Sequence, residues 1–102
     1  MIYISGPIIE IKNYKEIFYE AESIIKEKFP EEKIFNLANV ERPSDWGGFM
    51  KIDLEALFKS DRIVLLPGYM ASRECKIELL IAEGLNLEII YLCLDKKLHI
   101  RR

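Results

Sequence analysis

Short apolar runs alternate along this chain with longer segments of helical periodicity, and that alternation restricts the fold more than any other feature. Ile2–Ser5 is an apolar run that stops on Gly6-Pro7, a strand ending in a turn. Over residues 11–28, Tyr14, Ile17, Phe18, Ala21, Ile24 and Ile25 recur at helical spacing, opposite a face rich in lysine and glutamate. A second short strand is expected over 33–36. A polar loop over 39–45, carrying Pro43, then leads into a helix over 46–59. A third strand covers 62–66 and ends on Pro67-Gly68. Ser72 is placed to cap a helix running to Glu83, with Gly84 as its stop. A last apolar strand spans 87–94, and Leu98–Ile100 extends the sheet at its edge.

Strands that are apolar throughout, each followed by a helix, belong to a parallel sheet covered on both faces. Right-handed crossovers favour the order 2-1-3-4, with a fifth strand possible at the edge. The expected architecture is a single α/β domain, a flavodoxin-like three-layer sandwich with a parallel sheet of four to five strands. In such sheets ligands sit at the carboxyl ends of the strands beside the switch point, here between strands 1 and 3. The flanking turns are Ser5-Gly6-Pro7 and Pro67-Gly68-Tyr69, where backbone can approach a ligand closely.

A chain of 102 residues has room for one core, and 50% hydrophobic residues suffice to fill it. The formal net charge of −2 supplies no basic field for a nucleic-acid polymer, though a single nucleotide remains compatible. Cys75 and Cys93 lack the spacing of a metal knuckle or redox motif and are expected as buried, inert thiols. His99, near the end of the chain, is expected on the surface, and the residues imply no metal or organic cofactor. The first residues enter an apolar run without a basic leader, so cytoplasm is the expected compartment and no membrane partner is expected.

Two carboxylates interrupt apolar stripes. Asp53 lies three residues after Met50 and four before Leu57, and Glu78 three after Cys75 and four before Ala82. A carboxylate on a packed face is costly unless paired or hydrogen-bonded. An edge position or an internal ion pair satisfies that requirement as well as a functional site does. Glu78, however, is in the second turn of the helix that opens at the expected pocket, and helical side chains lean toward the N-terminus. Tyr3, near the end of the neighbouring strand 1, has a hydroxyl suited to orienting that carboxylate.

The segments YISGPI (3–8), NLA (36–38), MKIDLEALFKSDRIVLLPG (50–68) and SRECKIELLIAEGL (72–85) occur in this order. Together they resemble a small, often phage-borne family of unassigned function within the nucleoside 2-deoxyribosyltransferase superfamily, which includes 2′-deoxynucleoside 5′-phosphate N-hydrolase-like proteins. The resemblance implies that Glu78 is the nucleophile, that Tyr3 steadies it and that Asp53 contacts the base. It also implies that Ser72 meets the sugar or a 5′-phosphate and that Gly6 lines the pocket; Ser5, Pro7 and Gly68 are binding candidates from their place in the turns beside the switch point. Two positions depart from that pattern. Glu74 stands where a glycine is usual, which sets a negative charge where a phosphate would lie, and Leu37 stands where a proline is common.

The implied reaction is cleavage or transfer at an N-glycosidic bond, with a nucleoside or nucleotide as the partner and no cofactor. Two other readings use the same pocket: a protein that sequesters or senses a nucleotide without turnover, and a glycohydrolase of NAD-like dinucleotides. A homodimer or larger homo-oligomer is expected, because relatives are usually oligomeric. Phe49, Phe58 and Leu80 also add apolar surface beyond what one small sheet needs.

Overall fold

The computed structural model describes residues 1–41 and 45–102. Its elements run β1 (Ile2–Ser5), α1 (Tyr14–Lys28), β2 (Ile34–Phe35), α2 (Trp46–Phe58), β3 (Arg62–Leu65), α3 (Arg73–Gly84), β4 (Glu88–Leu92) and β5 (Leu98–Ile100). Single 3-10 turns follow β2 (Leu37–Asn39) and precede α3 (Tyr69–Ala71). Residues 42–44 of the loop expected over 39–45, Pro43 among them, lie outside the described residues.

The five strands form one sheet in the order β2-β1-β3-β4-β5. β1 pairs in parallel with β2 and with β3, and β3 in parallel with β4. The order is the expected one, but the sheet is mixed, because β5 runs antiparallel to β4 with Tyr91 opposite His99. The reason is the connection. A parallel return needs a crossover of a dozen or more residues, whereas Cys93 and Lys97 close a hairpin through Cys93 N–H to Lys97 C=O at 3.2 Å.

Strand alternation divides the core into two clusters. Ile2, Ile4, Val64, Leu66, Ile90 and Leu92 pack with Phe18, Ala21 and Ile25 of α1 on one face. On the other, Tyr3, Ile63, Leu65 and Ile89 pack with Ala56 and Leu57 of α2 and Ala82 of α3. One helix therefore covers one face and two cover the other. Tyr3 and Ser5 point toward the α2–α3 layer because they alternate with Ile2 and Ile4.

Several boundaries shift for local reasons. α1 begins at Tyr14, not Ile11, because Glu10 takes a left-handed φ of 64° and a turn joins Ile11 N–H to Ile8 C=O at 3.1 Å. Gly84 is the last residue of α3 rather than its stop. The left-handed residue is Asn86 (φ 59°), and Leu87 N–H returns to Ala82 C=O at 3.0 Å. β4 ends at Leu92, so Cys93 lies past the strand and is exposed, contrary to its expected burial. Among the described residues no helix is long and apolar enough to cross a membrane.

Candidate functional site

Glu78 is the centre of a buried polar cluster at the carboxyl edge of the sheet. Its Oε2 accepts from the Tyr3 hydroxyl at 2.7 Å and its Oε1 from Ser5 Oγ at 2.6 Å. All three side chains are closed to solvent: Glu78 is 3% exposed, and Tyr3 and Ser5 are fully buried. Tyr3 is held by its neighbour in the sheet, since its ring stacks on Phe35 with centroids 5.4 Å apart and planes 9° from parallel. The phenol is thus aimed by strand pairing, and the carboxylate by a helix pitched over it.

The electrostatics of Glu78 follow from this burial. Desolvation pushes its pKa up to about 7, against the hydrogen bonds from Ser5 and Tyr3, which favour the ionised form. The charges of Asp53 and Glu74 push in the same direction as burial. Asp53 is 2% exposed on the face of α2 turned to the core, so the two carboxylates singled out from the sequence act on each other. A carboxyl group that titrates near neutrality inside a hydroxyl-lined pocket can act as nucleophile, base or acid.

Cys75, one turn before Glu78, is fully buried and unoxidised. Burial raises its thiol pKa, opposed by hydrogen bonding to Ser5 and Ser72. Its burial is as expected, and a buried thiol with a raised pKa is a poor nucleophile.

A cleft of about 630 Å³ is lined by Pro7, Ile8, Trp46, Gly68, Ser72 and Glu74, among others, with Pro7 two residues past Ser5 and Glu74 in the first turn of the helix that carries Glu78. Pro7, Gly68 and Ser72, three of the binding candidates, are on its wall. Ser5 instead supports Glu78 through its hydrogen bond. Gly6 is buried, and a Cβ there would meet Leu66 Cδ1 at 2.8 Å, so its lack of a side chain serves the approach of β1 to the end of β3. Gly68 adopts φ 89°, the left-handed geometry that lets the chain turn from β3 into the 3-10 segment ahead of α3.

Ser72 caps α3, its Oγ accepting from Cys75 N–H at 3.3 Å and donating to Glu74 Oε2 at 3.1 Å. Glu74 also accepts from the Trp46 indole N–H. Burial raises the Glu74 pKa, but the hydrogen bonds from Trp46, its own backbone N–H and Ser72 outweigh that and hold it below the usual carboxylate range. The Arg73 guanidinium lies 4.5 Å over the Trp46 ring. Of the Trp46–Arg73–Glu74 wall, only Glu74 was singled out from the sequence. The available signal was an indole at the start of a helix, whose N–H needs a partner when covered.

The comparisons with known proteins agree with the fold and leave the chemistry open. Among solved structures, the chain is similar to the TIR domain of the Toll-related receptor TRR-2 from Hydra magnipapillata, with a TM-score of 0.57 and 17% identity. The match covers 88% of this chain and 66% of that one, and at this identity it is a likeness of fold alone. No curated protein matches the chain. Residues 1–91 match the family described as "Domain of unknown function (DUF4406)", a match over most of the sequence, and the chain belongs to that family.

Proposed function

We propose that this protein cleaves or transfers the N-glycosidic bond of a nucleoside, with Glu78 as nucleophile. The observation that carries the reading is the buried Tyr3–Glu78–Ser5 triad, its carboxyl pushed up to about 7, on the helix whose first turn lines the cleft. The cleft suits such a ligand. Ile8, Ile9, Ile11 and the Trp46 ring offer apolar surface for a planar base, while Ser72 and Glu74 offer hydrogen-bonding groups for sugar hydroxyls.

In this reading the Glu78 carboxylate attacks the anomeric carbon as the bond to the base breaks, and the departing base takes the bonding electron pair. Asp53 contacts the base and supplies the proton it needs on leaving. The resulting glycosyl ester is resolved by water in a hydrolase or by a second base in a transferase. Tyr3 and Ser5 hold the Glu78 rotamer. Because Glu78 is 3% exposed and absent from the cleft wall, the substrate reaches it through a shift of the residues between them. The same covering favours a second reading, a protein that binds a nucleoside or nucleotide in the cleft without turnover. The resemblance in sequence to deoxyribosyltransferases, the oligomeric state it implies and the expected cytoplasmic compartment are part of this proposal.

The test is base release from deoxynucleosides, ribonucleosides, their monophosphates and an NAD-like dinucleotide. Glu78→Gln is expected to lower turnover by orders of magnitude, and Asp53→Asn to lower it less, because it removes assistance but not the nucleophile. Near wild-type turnover by Glu78→Gln overturns the nucleophile assignment. No base release from the whole panel, with retained binding of one member, replaces catalysis by binding.

A further inference from the structure

The β4–β5 hairpin brings together three side chains of metal-ligating type, apart from the Glu78 cluster. Cys93 Sγ, an Asp95 carboxylate oxygen and a His99 ring nitrogen all lie within 4.8 Å of one another. We propose that these residues bind a divalent cation of the zinc class, one per chain, with a fourth position left to water.

Local structure assembles the group without help from distant elements. Lys96 N–H bonds Cys93 C=O at 3.0 Å and Cys93 N–H bonds Lys97 C=O at 3.2 Å, closing a hairpin loop in which Lys96 is left-handed at φ 63°. The pairing of Tyr91 with His99 sets the register. Because strand side chains alternate, Cys93 falls on the same face as Tyr91 and His99, diagonal to the imidazole. Asp95 sits in the loop between them. Its Oδ1 accepts from Lys97 N–H at 2.9 Å, which leaves Oδ2 turned to His99 Nε2 at 3.0 Å.

The donor set selects the ion. Thiolate, imidazole and carboxylate together suit zinc and its spectroscopic substitute cobalt, whereas magnesium and calcium prefer oxygen alone. Ligand atoms around a tetrahedral zinc are separated by roughly 3.3–3.8 Å. The Asp95–His99 contact must therefore open slightly and the thiol close in, changes within reach of side-chain rotation. Thiolate and carboxylate together carry two negative charges and offset those of the cation. Of the two loop lysines, Lys96 pairs through Nζ with Glu20 of α1 at 2.5 Å, whereas the Lys97 charge acts on Asp95 and is the one a bound cation displaces. The three residues are exposed, so the cation can enter from solvent, and the Cys93 proton leaves to solvent on binding.

The experiment is titration of the reduced, chelator-treated chain with cobalt(II) alone, followed by displacement with zinc. The expected result is a thiolate-to-cobalt charge-transfer band with four-coordinate visible absorption, saturating at one cobalt per chain and lost on adding zinc. Cys93→Ser abolishes the charge-transfer band, and His99→Ala weakens binding by roughly tenfold or more. Cys75→Ala, which removes the other thiol, leaves the spectrum unchanged. Zinc raises the thermal midpoint of the wild type and not that of Cys93→Ser. The proposal is overturned by absence of the band at a large excess of cobalt, by its survival in Cys93→Ser, by its loss in Cys75→Ala, or by saturation at one metal per two chains.

Discussion

At the scale of single residues, a carboxyl group with a pKa of about 7 makes two measurable statements. The first concerns stability. Glu78 is raised from 4.5, so the folded state holds its proton more tightly than the unfolded chain does. Stability is therefore lost as pH rises between those two values, and the penalty is complete above the higher one. Its size is roughly 3 kcal/mol. Urea unfolding of the wild type is expected to show that loss between weakly acidic and weakly alkaline buffer, and Glu78→Gln, with no proton to lose, is expected to be flat across the same range. Equal pH dependence in both proteins would place the titration elsewhere. The second statement concerns rate. A nucleophile must be ionised, so kcat/KM is expected to rise with pH through the same region. Tyr3→Phe, which removes a hydrogen bond to the ionised form, is expected to move that limb to higher pH. A rate that falls through this region would make Glu78 an acid instead.

Among the elements, the start of α3 does most to place the site. Ser72 both caps the helix and borders the cleft, so Ser72→Ala is expected to cost about 1 kcal/mol in chemical unfolding, with Ser72→Thr restoring most of it. The end of β1 is equally constrained. Gly6→Ala sets a methyl against Leu66 and is expected to destabilise by about 1–3 kcal/mol, whether or not ligand is present. A loss seen only in ligand affinity would instead give Gly6 a direct role in the cleft. These two ends explain which features were legible in advance. A serine before a periodic apolar run signals a cap through its own chemistry, and a Gly-Pro pair signals a turn. Whether a glycine is needed for a ligand or for a neighbouring leucine depends on what lies opposite, and that is decided by β3.

For the whole molecule, Phe58 and Leu80 remain 61% and 68% exposed on the layer that contains α2 and α3. Self-association is the expected consequence, read as a dimeric or larger mass by light scattering at tens of micromolar, with Leu80→Glu shifting the mass toward the monomer. A monomeric wild-type mass would remove that expectation. The sequence by itself determined the α/β class, favoured the strand order and set Asp53 and Glu78 on the apolar stripes of their helices. Helical and strand periodicities are local, and they report which face each side chain presents. The antiparallel β5, the exposure of Cys93 and the gathering of Cys93, Asp95 and His99 depend on a hairpin whose closure involves one left-handed residue, Lys96. The contacts of Tyr3 and Ser5 with Glu78 span more than seventy positions. Periodicity placed Glu78 on an inward face, but only the packing of α3 across the ends of β1 and β3 brought the oxygens of all three within hydrogen-bonding distance.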